Sequence, residues 1–211
     1  MAVTVQWLGH ASFKITGDDE VVYIDPWKLG ESARDATVVL VSHSHYDHYS
    51  AEDVAKAAGA DTKIVGPSDV IEKEERGEAI KAGEAITVGG VSVRAVASYN
   101  REKGFHPKAN NWLGFVVEMG AVRIYYAGDT DLTDEMKALE NIDVALLPVG
   151  GTYTMGAEEA ASAVEALRPK RAIPYHWGDI VGSRSDAEQF ADRAKCEVAV
   201  LNPGEKLEVT D

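Results

Sequence analysis

The stretch Val38-Val39-Leu40-Val41-Ser42-His43-Ser44-His45-Tyr46-Asp47-His48 decides how this chain is read. Its apolar, β-branched start predicts a buried strand, and the polar run behind it places four ligand-type side chains within six positions. Extended residues two apart point the same way, so His43 and His45 are set to share one metal ion, while the turn into a following helix aims Asp47 and His48 at a neighbouring one. Imidazole nitrogen with carboxylate oxygen suits Zn²⁺ first, with Mn²⁺ and iron as alternatives. An ordinary polar turn gives no reason to concentrate three histidines and an aspartate directly after an apolar strand.

Outward from this segment, β-branched and aromatic runs bounded by Gly, Pro or Asp predict strands over Val3–Leu8, Ser12–Thr16, Val21–Ile24, Val38–Val41, Lys63–Val65, Val91–Val96, Phe115–Val117 and Val122–Tyr126. Helices are expected over Ala51–Ala58, Ser68–Glu75, Thr133–Glu140, Ala157–Leu167 and Asp186–Ala194, with Ser50 and Asp186 as caps. Strands grouped with interspersed helices imply a layered α/β architecture. Two segments also resemble each other. Trp7-Leu8-Gly9 opens one that ends in Tyr23-Ile24-Asp25-Pro26, and Trp112-Leu113-Gly114 opens one that ends in Tyr126-Ala127-Gly128-Asp129. A true repeat would place Asp25 and Asp129 at equivalent strand ends facing the seam between two packed halves; chance likeness of two amphipathic hairpins is the competing explanation.

The bulk properties narrow the function. The chain has 211 residues, 45% hydrophobic and 27% charged, which fits a folded globule and a single domain spanning 1–211. A net charge of -14 opposes binding to nucleic acid or an anionic membrane, and it makes bound metal ions the natural place for an anionic group. The first residues lack a basic segment followed by a long apolar run, so a cytoplasmic location is expected. The one cysteine, Cys196, has no partner for an internal disulfide and is read as a buried thiol without a role.

The histidine-rich stretch, the later Gly128-Asp129-Thr130-Asp131 and a further His176 after another apolar strand together resemble the metallo-β-lactamase superfamily. Trp7-Leu8-Gly9-His10-Ala11-Ser12-Phe13 and Tyr153-Thr154-Met155-Gly156 are similar to its uncharacterised metal-dependent hydrolase branch, which is related to the ascorbate-6-phosphate lactonases. The resemblance covers nearly the whole chain. It implies an αββα sandwich, two mixed β-sheets packed face to face with helices on the outer faces. It also implies two divalent ions: His43 and His45 on the first, Asp47, His48 and His176 on the second, and Asp129 bridging them. Hydroxide formed at the metals would attack a small ester-like substrate, with lactones or phosphate esters favoured and Asp47 and Asp129 as catalytic groups. A non-catalytic metal-dependent binding or sensing protein on the same fold is the alternative.

One family feature is missing. The superfamily supplies a third histidine to the first metal from a strand end, but here Val91–Ala97 runs into Ser98-Tyr99-Asn100. The chain holds six histidines, and of the two left unassigned only His106 has the right chain order. It sits in a loop whose Gly104 and Pro107 can fold it back, so His106 is the expected third ligand. The other, His10, is expected behind the ligands or in the pocket, paired with Asp25, or else as a structural histidine. Around His106, Arg101, Lys103 and Lys108 form a positive cluster, either to hold a phosphate or carboxylate of the substrate or simply as solvated loop charges. Tyr153, with Trp27, Trp112 and Trp177, is placed to wall a pocket or to pack in the core. The expected partner is a small-molecule substrate, and a homo-oligomer is left open.

Overall fold

The structure is a computed structural model of the chain and describes residues 2–74 and 76–210. Two sheets of seven strands form its centre. The first contains β1 (Ala2–Gly9), β2 (Ser12–Gly17), β3 (Glu20–Ile24), β4 (Ala36–Leu40), β5 (Ala58–Gly66) and β6 (Gly77–Ala79). The second contains β7 (Ala85–Val88), β8 (Val91–Ala97), β9 (Leu113–Met119), β10 (Val122–Tyr126), β11 (Val144–Pro148), β12 (Arg171–Tyr175) and β13 (Glu197–Val198), while β14 (Lys206–Thr210) returns to the first. Both sheets mix antiparallel hairpins with parallel crossovers, as expected of the αββα sandwich.

β4 shows why the layers form. Val38 and Leu40 enter the large core between the sheets, whereas Val39 and Val41 join a second cluster with Val54 and Ala57 of the helix α1 (Ala51–Ala57). A strand covered on both faces has no room for polar alternation, so its apolar residues run without a break. Between the sheets, Phe13 meets Tyr126 and Tyr175 edge-on, with ring centroids 6.0 and 5.5 Å away. On the outer side of the second sheet lie α4 (Ala157–Leu167) and α5 (Arg184–Arg193), which bury Ala160, Ala163, Val164, Leu167, Ala187 and Phe190. The short helices are α2 (Ser68–Ile71) and α3 (Asp134–Lys137).

Ser50 caps α1 as expected, accepting from the Asp53 amide. Asp186 does not cap α5: Ser183 does, and Asp186 is the third helical residue of a capping box, its carboxylate returning to the Ser183 amide at 2.7 Å. The helix expected over Ser68–Glu75 stops at Ile71, and Glu75 lies outside the described residues. The helix expected over Thr133–Glu140 is a single turn capped by Thr133. β6, β7, β13 and β14 are short or edge elements whose apolar patterns are too brief to announce themselves.

The repeat is real in topology and wrong in register. The order β1-β2-β3-β4-β5-β6 in one sheet matches β8-β9-β10-β11-β12-β13 in the other. Phe13 pairs with Ile24 and Ile24 with Leu40; Phe115 pairs with Tyr126 and Tyr126 with Leu146. On this register Trp7 matches Ala95 rather than Trp112, because Trp7 pairs with Phe13 and Ala95 with Phe115. Asp25 matches Ala127, each donating its amide to the carbonyl of the neighbouring parallel strand, Leu40 or Leu146. Asp129 lies two residues beyond, past Gly128 at φ +71, where an added Cβ would meet the Leu113 carbonyl at 2.7 Å.

Candidate metal centre

The C-terminal ends of β3 and β4 fix the first part of the site. Asp25, fully buried, accepts from the Ser42 amide at 2.7 Å, the Ser42 hydroxyl, the Tyr126 hydroxyl at 2.6 Å and Nδ1 of His48 at 2.7 Å. The ring of His48 is thereby held with a proton on Nδ1, so that Nε2 is the atom turned toward the site. The turn after β4 closes as the His48 and Tyr49 amides donate to the His45 carbonyl, which swings Asp47 and His48 inward as the spacing predicts. Ser42 also reaches Nδ1 of His43 at 2.9 Å, and Ser44 binds Asp69, so both serines orient neighbours.

Two groups of candidate ligands face one another. Nε2 of His43 and Nδ1 of His45 lie 3.1 Å apart, and His106 completes a set whose ligand atoms all lie within 4.8 Å. Asp47, His48 and His176 form the other set, with His10 beside them. Asp129 sits between: its Oδ2 is 3.3 Å from Nε2 of His106 and 3.2 Å from Nε2 of His176, and its Oδ1 is 3.3 Å from Nε2 of His48. Nε2 of His48, His106 and His176 and Oδ1 of Asp129 are buried without a hydrogen-bond partner among the described residues. Unpartnered polar atoms converging from four separate segments are costly in a folded protein unless something binds them, and N/O donors arranged this way fit divalent cations.

Charge follows the same geometry. Burial pushes the His48 imidazole down, but the Asp129 and Asp25 carboxylates outweigh it and hold it well above the usual histidine range. For His43, burial and the neighbouring His48 act together, and it falls well below that range. Burial pushes Asp129 up, yet His176 and His48 bring it well below the usual carboxylate range. Asp47 is likewise raised by burial and lowered more strongly by the His10 hydrogen bond, ending at about 2.

His10 pairs with Asp47, not with Asp25. Its Nε2 lies 2.9 Å from Oδ2 of Asp47, and its ring is 4.2 Å from that of His176. Asp25 is unreachable to it because Ser42, Tyr126 and His48 already surround that carboxylate. His106 is set by a residue that sequence reasoning passed over: Oδ1 of Asn100 accepts both the amide and Nδ1 of His106, at 3.1 and 3.0 Å, leaving Nε2 to face Asp129. The segment Ser98-Tyr99-Asn100, where the family histidine is missing, therefore fixes the ring of His106, the residue expected in its place. A lone asparagine carries no sequence signal for that task.

The cleft above these groups, about 240 Å³, is lined by His45, Tyr46, Asp47, Phe105, His106, Asp129, Tyr153 and Ile180. Tyr153 walls it and meets Phe105 edge-on at 4.7 Å. Trp112 packs on His43 and His45, Trp27 on His10, and Trp177 on Trp7 in the core. The positive cluster does not line the cleft. Lys103 is bound to Asp131 at 2.6 Å and to the Thr154 carbonyl, and Lys108 to Glu135 at 2.7 Å, because acidic side chains of the adjoining segments neutralise them. Cys196 is half-buried, and burial raises its thiol pKa. None of the described helices is long and apolar enough to cross a membrane.

Comparison with known proteins agrees with this geometry. The family model for a β-lactamase superfamily domain matches residues 4–176. A protein of Thermococcus onnurineus named UPF0173 metal-dependent hydrolase is 36% identical, covering 98% of this chain and 100% of its own. One of the same name from Pyrococcus abyssi is 37% identical with the same coverage. A solved structure from Parabacteroides distasonis, described as that of a metal-dependent hydrolase, superposes with a TM-score of 0.83 at 28% identity over 93% of this chain and 91% of that one. From its strand order to the ligand-type residues gathered at the strand ends, this chain belongs to the metallo-β-lactamase superfamily.

Proposed function

We propose that the chain is a dinuclear metal-dependent hydrolase of small ester-like substrates, lactones and phosphate esters included, acting as a single-domain cytoplasmic enzyme. The observation that carries this reading is the set of unpartnered Nε2 atoms of His48, His106 and His176 around Asp129. His43, His45 and His106 would hold one ion and Asp47, His48 and His176 the other, with Asp129 between them. Zn²⁺ suits the donors best, ahead of Mn²⁺ or iron. When bound, two such ions acidify a water to near neutrality and polarise the scissile oxygen. The protein's own part is to hold the donors in register. Asn100, Asp25 and Ser42 fix the histidine rings, and Asp47, at the cleft with Oδ2 anchored by Nε2 of His10, is the carboxylate assigned to take and pass a proton.

Elemental analysis with a panel of chromogenic lactones, carboxylic esters and phosphodiesters tests the reading. Two ions per chain are expected, with turnover that stops on chelation and returns on adding Zn²⁺ or Mn²⁺. Two bound ions with no turnover across the panel would instead favour the binding or sensing protein.

His10→Phe keeps a ring but cannot bond Asp47. It is expected to weaken metal retention about 10- to 100-fold, the usual scale for losing a partner behind a ligand, as read by chelator competition. Unchanged retention would mean that Asp47 is held by other contacts.

A further inference from the structure

Among the described residues, the exposed large hydrophobic side chains are Tyr46, Phe105 and Ile180, at 68%, 49% and 47% exposure. All of them line the same cleft as His45, Asp47, His106 and Asp129. They arrive from three unconnected segments: the turn after β4, the loop before β9 and the loop after β12. Single exposed hydrophobics need no explanation, but convergence of three loops on one mouth does.

Ile180 adds an independent sign. Its φ is +64, a left-handed conformation that β-branched residues avoid, yet Gly178 and Gly182 nearby, at +81 and +67, show that this loop uses glycine where such angles are needed. The Val181 amide pins the turn to the Asp179 carbonyl at 2.6 Å. Backbone strain of this kind persists at functional sites, where the side chain it presents has a task.

The cleft also lacks cations. Among the described residues no lysine or arginine lines it, Lys28 of the neighbouring pocket is paired with Asp179 at 2.6 Å, and the loop lysines 103 and 108 are tied to carboxylates. None of the residues lining the cleft brings a lysine or arginine charge to hold an anionic tail.

We propose that this mouth selects uncharged carboxylic esters, open or cyclic, whose apolar acyl chain lies against Tyr46, Phe105 and Ile180, over substrates with a charged tail. The inference rests on the hydrolase reading and narrows its substrate class. Water oxygen bonds to the acyl carbon as the acyl C–O bond breaks. One water proton goes to the departing alcohol and the other is released from the product acid.

The test compares p-nitrophenyl acetate, butyrate and hexanoate with mono-p-nitrophenyl adipate on the Zn²⁺- or Mn²⁺-loaded protein. Adipate has the length of hexanoate with a carboxylate at its tip. kcat/KM is expected to rise about 2- to 4-fold per methylene, the range for partial to full burial, and hexanoate to exceed adipate at least about tenfold, the scale of an unpaired charge beside an apolar wall. A flat series, or adipate equal to hexanoate, overturns the proposal. Ile180→Gly should reduce the per-methylene increment while its Tm stays at or above that of the parent, because the left-handed strain is relieved. An unaltered increment removes Ile180 from the wall and overturns that part. If no ester turns over, the hydrolase reading fails separately, and calorimetric binding of hexanoate against adipate still decides this one: equal binding overturns it. A rim that instead joins two copies of the chain would appear as a dimer dissociated by Phe105→Ser together with a flat series, which also overturns it.

Discussion

Asp129→Asn is expected to lose turnover by about 10³-fold or more, the upper scale for removing one preorganised electrostatic group at a reaction centre, and to lose bound metal with it. Both carboxylate oxygens face histidine Nε2 atoms, at 3.2 and 3.3 Å on one side and 3.3 Å on the other. Asparagine has the same shape, but it removes the charge and turns an amide NH₂ toward one set of lone pairs. The effect on the metal-free protein has a pH signature. In the parent, His48 is held well above the usual histidine range and Asp129 well below the usual carboxylate range. The depressed carboxyl contributes stability that is present above its unfolded pKa and lost as pH falls through its folded value. The raised imidazole contributes stability that is full below its unfolded pKa and lost as pH rises through its folded value. Denaturant unfolding in chelator should therefore show the largest gap between parent and variant in the window from about pH 4 to 6.5, between the two unfolded pKa values, with the gap narrowing at higher pH. Metal competes with that same His48 proton, so the parent's affinity in chelator competition should rise from pH 6 to pH 8. A variant that keeps both ions and full turnover would show that Asp129 does not stand between them.

What the sequence made legible follows from the range of each signal. The spacing of His43, His45, Asp47 and His48 is local, and local geometry of a strand running into a turn is enough to aim side chains. Layering of helices on sheets was legible because strands such as β4 carry apolar residues on both faces, whereas the αββα arrangement came from the family resemblance. Equivalence between the halves was not, since it depends on which residues pair across strands. Matching tryptophans suggested a register that the ladders place differently, and Asp25 aligns with Ala127. Partnerships over long separations were equally hidden. His10 reaches Asp47 across 37 positions and Tyr126 reaches Asp25 across 101. The loop lysines look free in sequence and are neutralised by Asp131 and Glu135, which only the fold brings close.

Asp25 carries the second large effect, and its variants separate stability from metal binding. Four donors converge on this buried carboxylate: the Ser42 amide, the Ser42 hydroxyl, the Tyr126 hydroxyl and Nδ1 of His48. Asp25→Ala strands all of them and leaves the His48 side of the site without its counter-charge, so a loss of about 3–5 kcal/mol in denaturant unfolding is expected, the range for breaking a buried charged partnership. Asp25→Asn is milder for the fold, because one amide oxygen still accepts, but its NH₂ cannot receive a proton from Nδ1. The His48 ring is then free to take the other tautomer, with the proton on Nε2, where a ligand lone pair is needed. Metal affinity should fall about 10- to 100-fold with a smaller loss of stability than in the alanine variant. If affinity instead tracks stability in both variants, Asp25 serves the fold alone. A fall in affinity larger than the fall in stability would show that the buried end of β3 sets the protonation of a ligand through a single hydrogen bond.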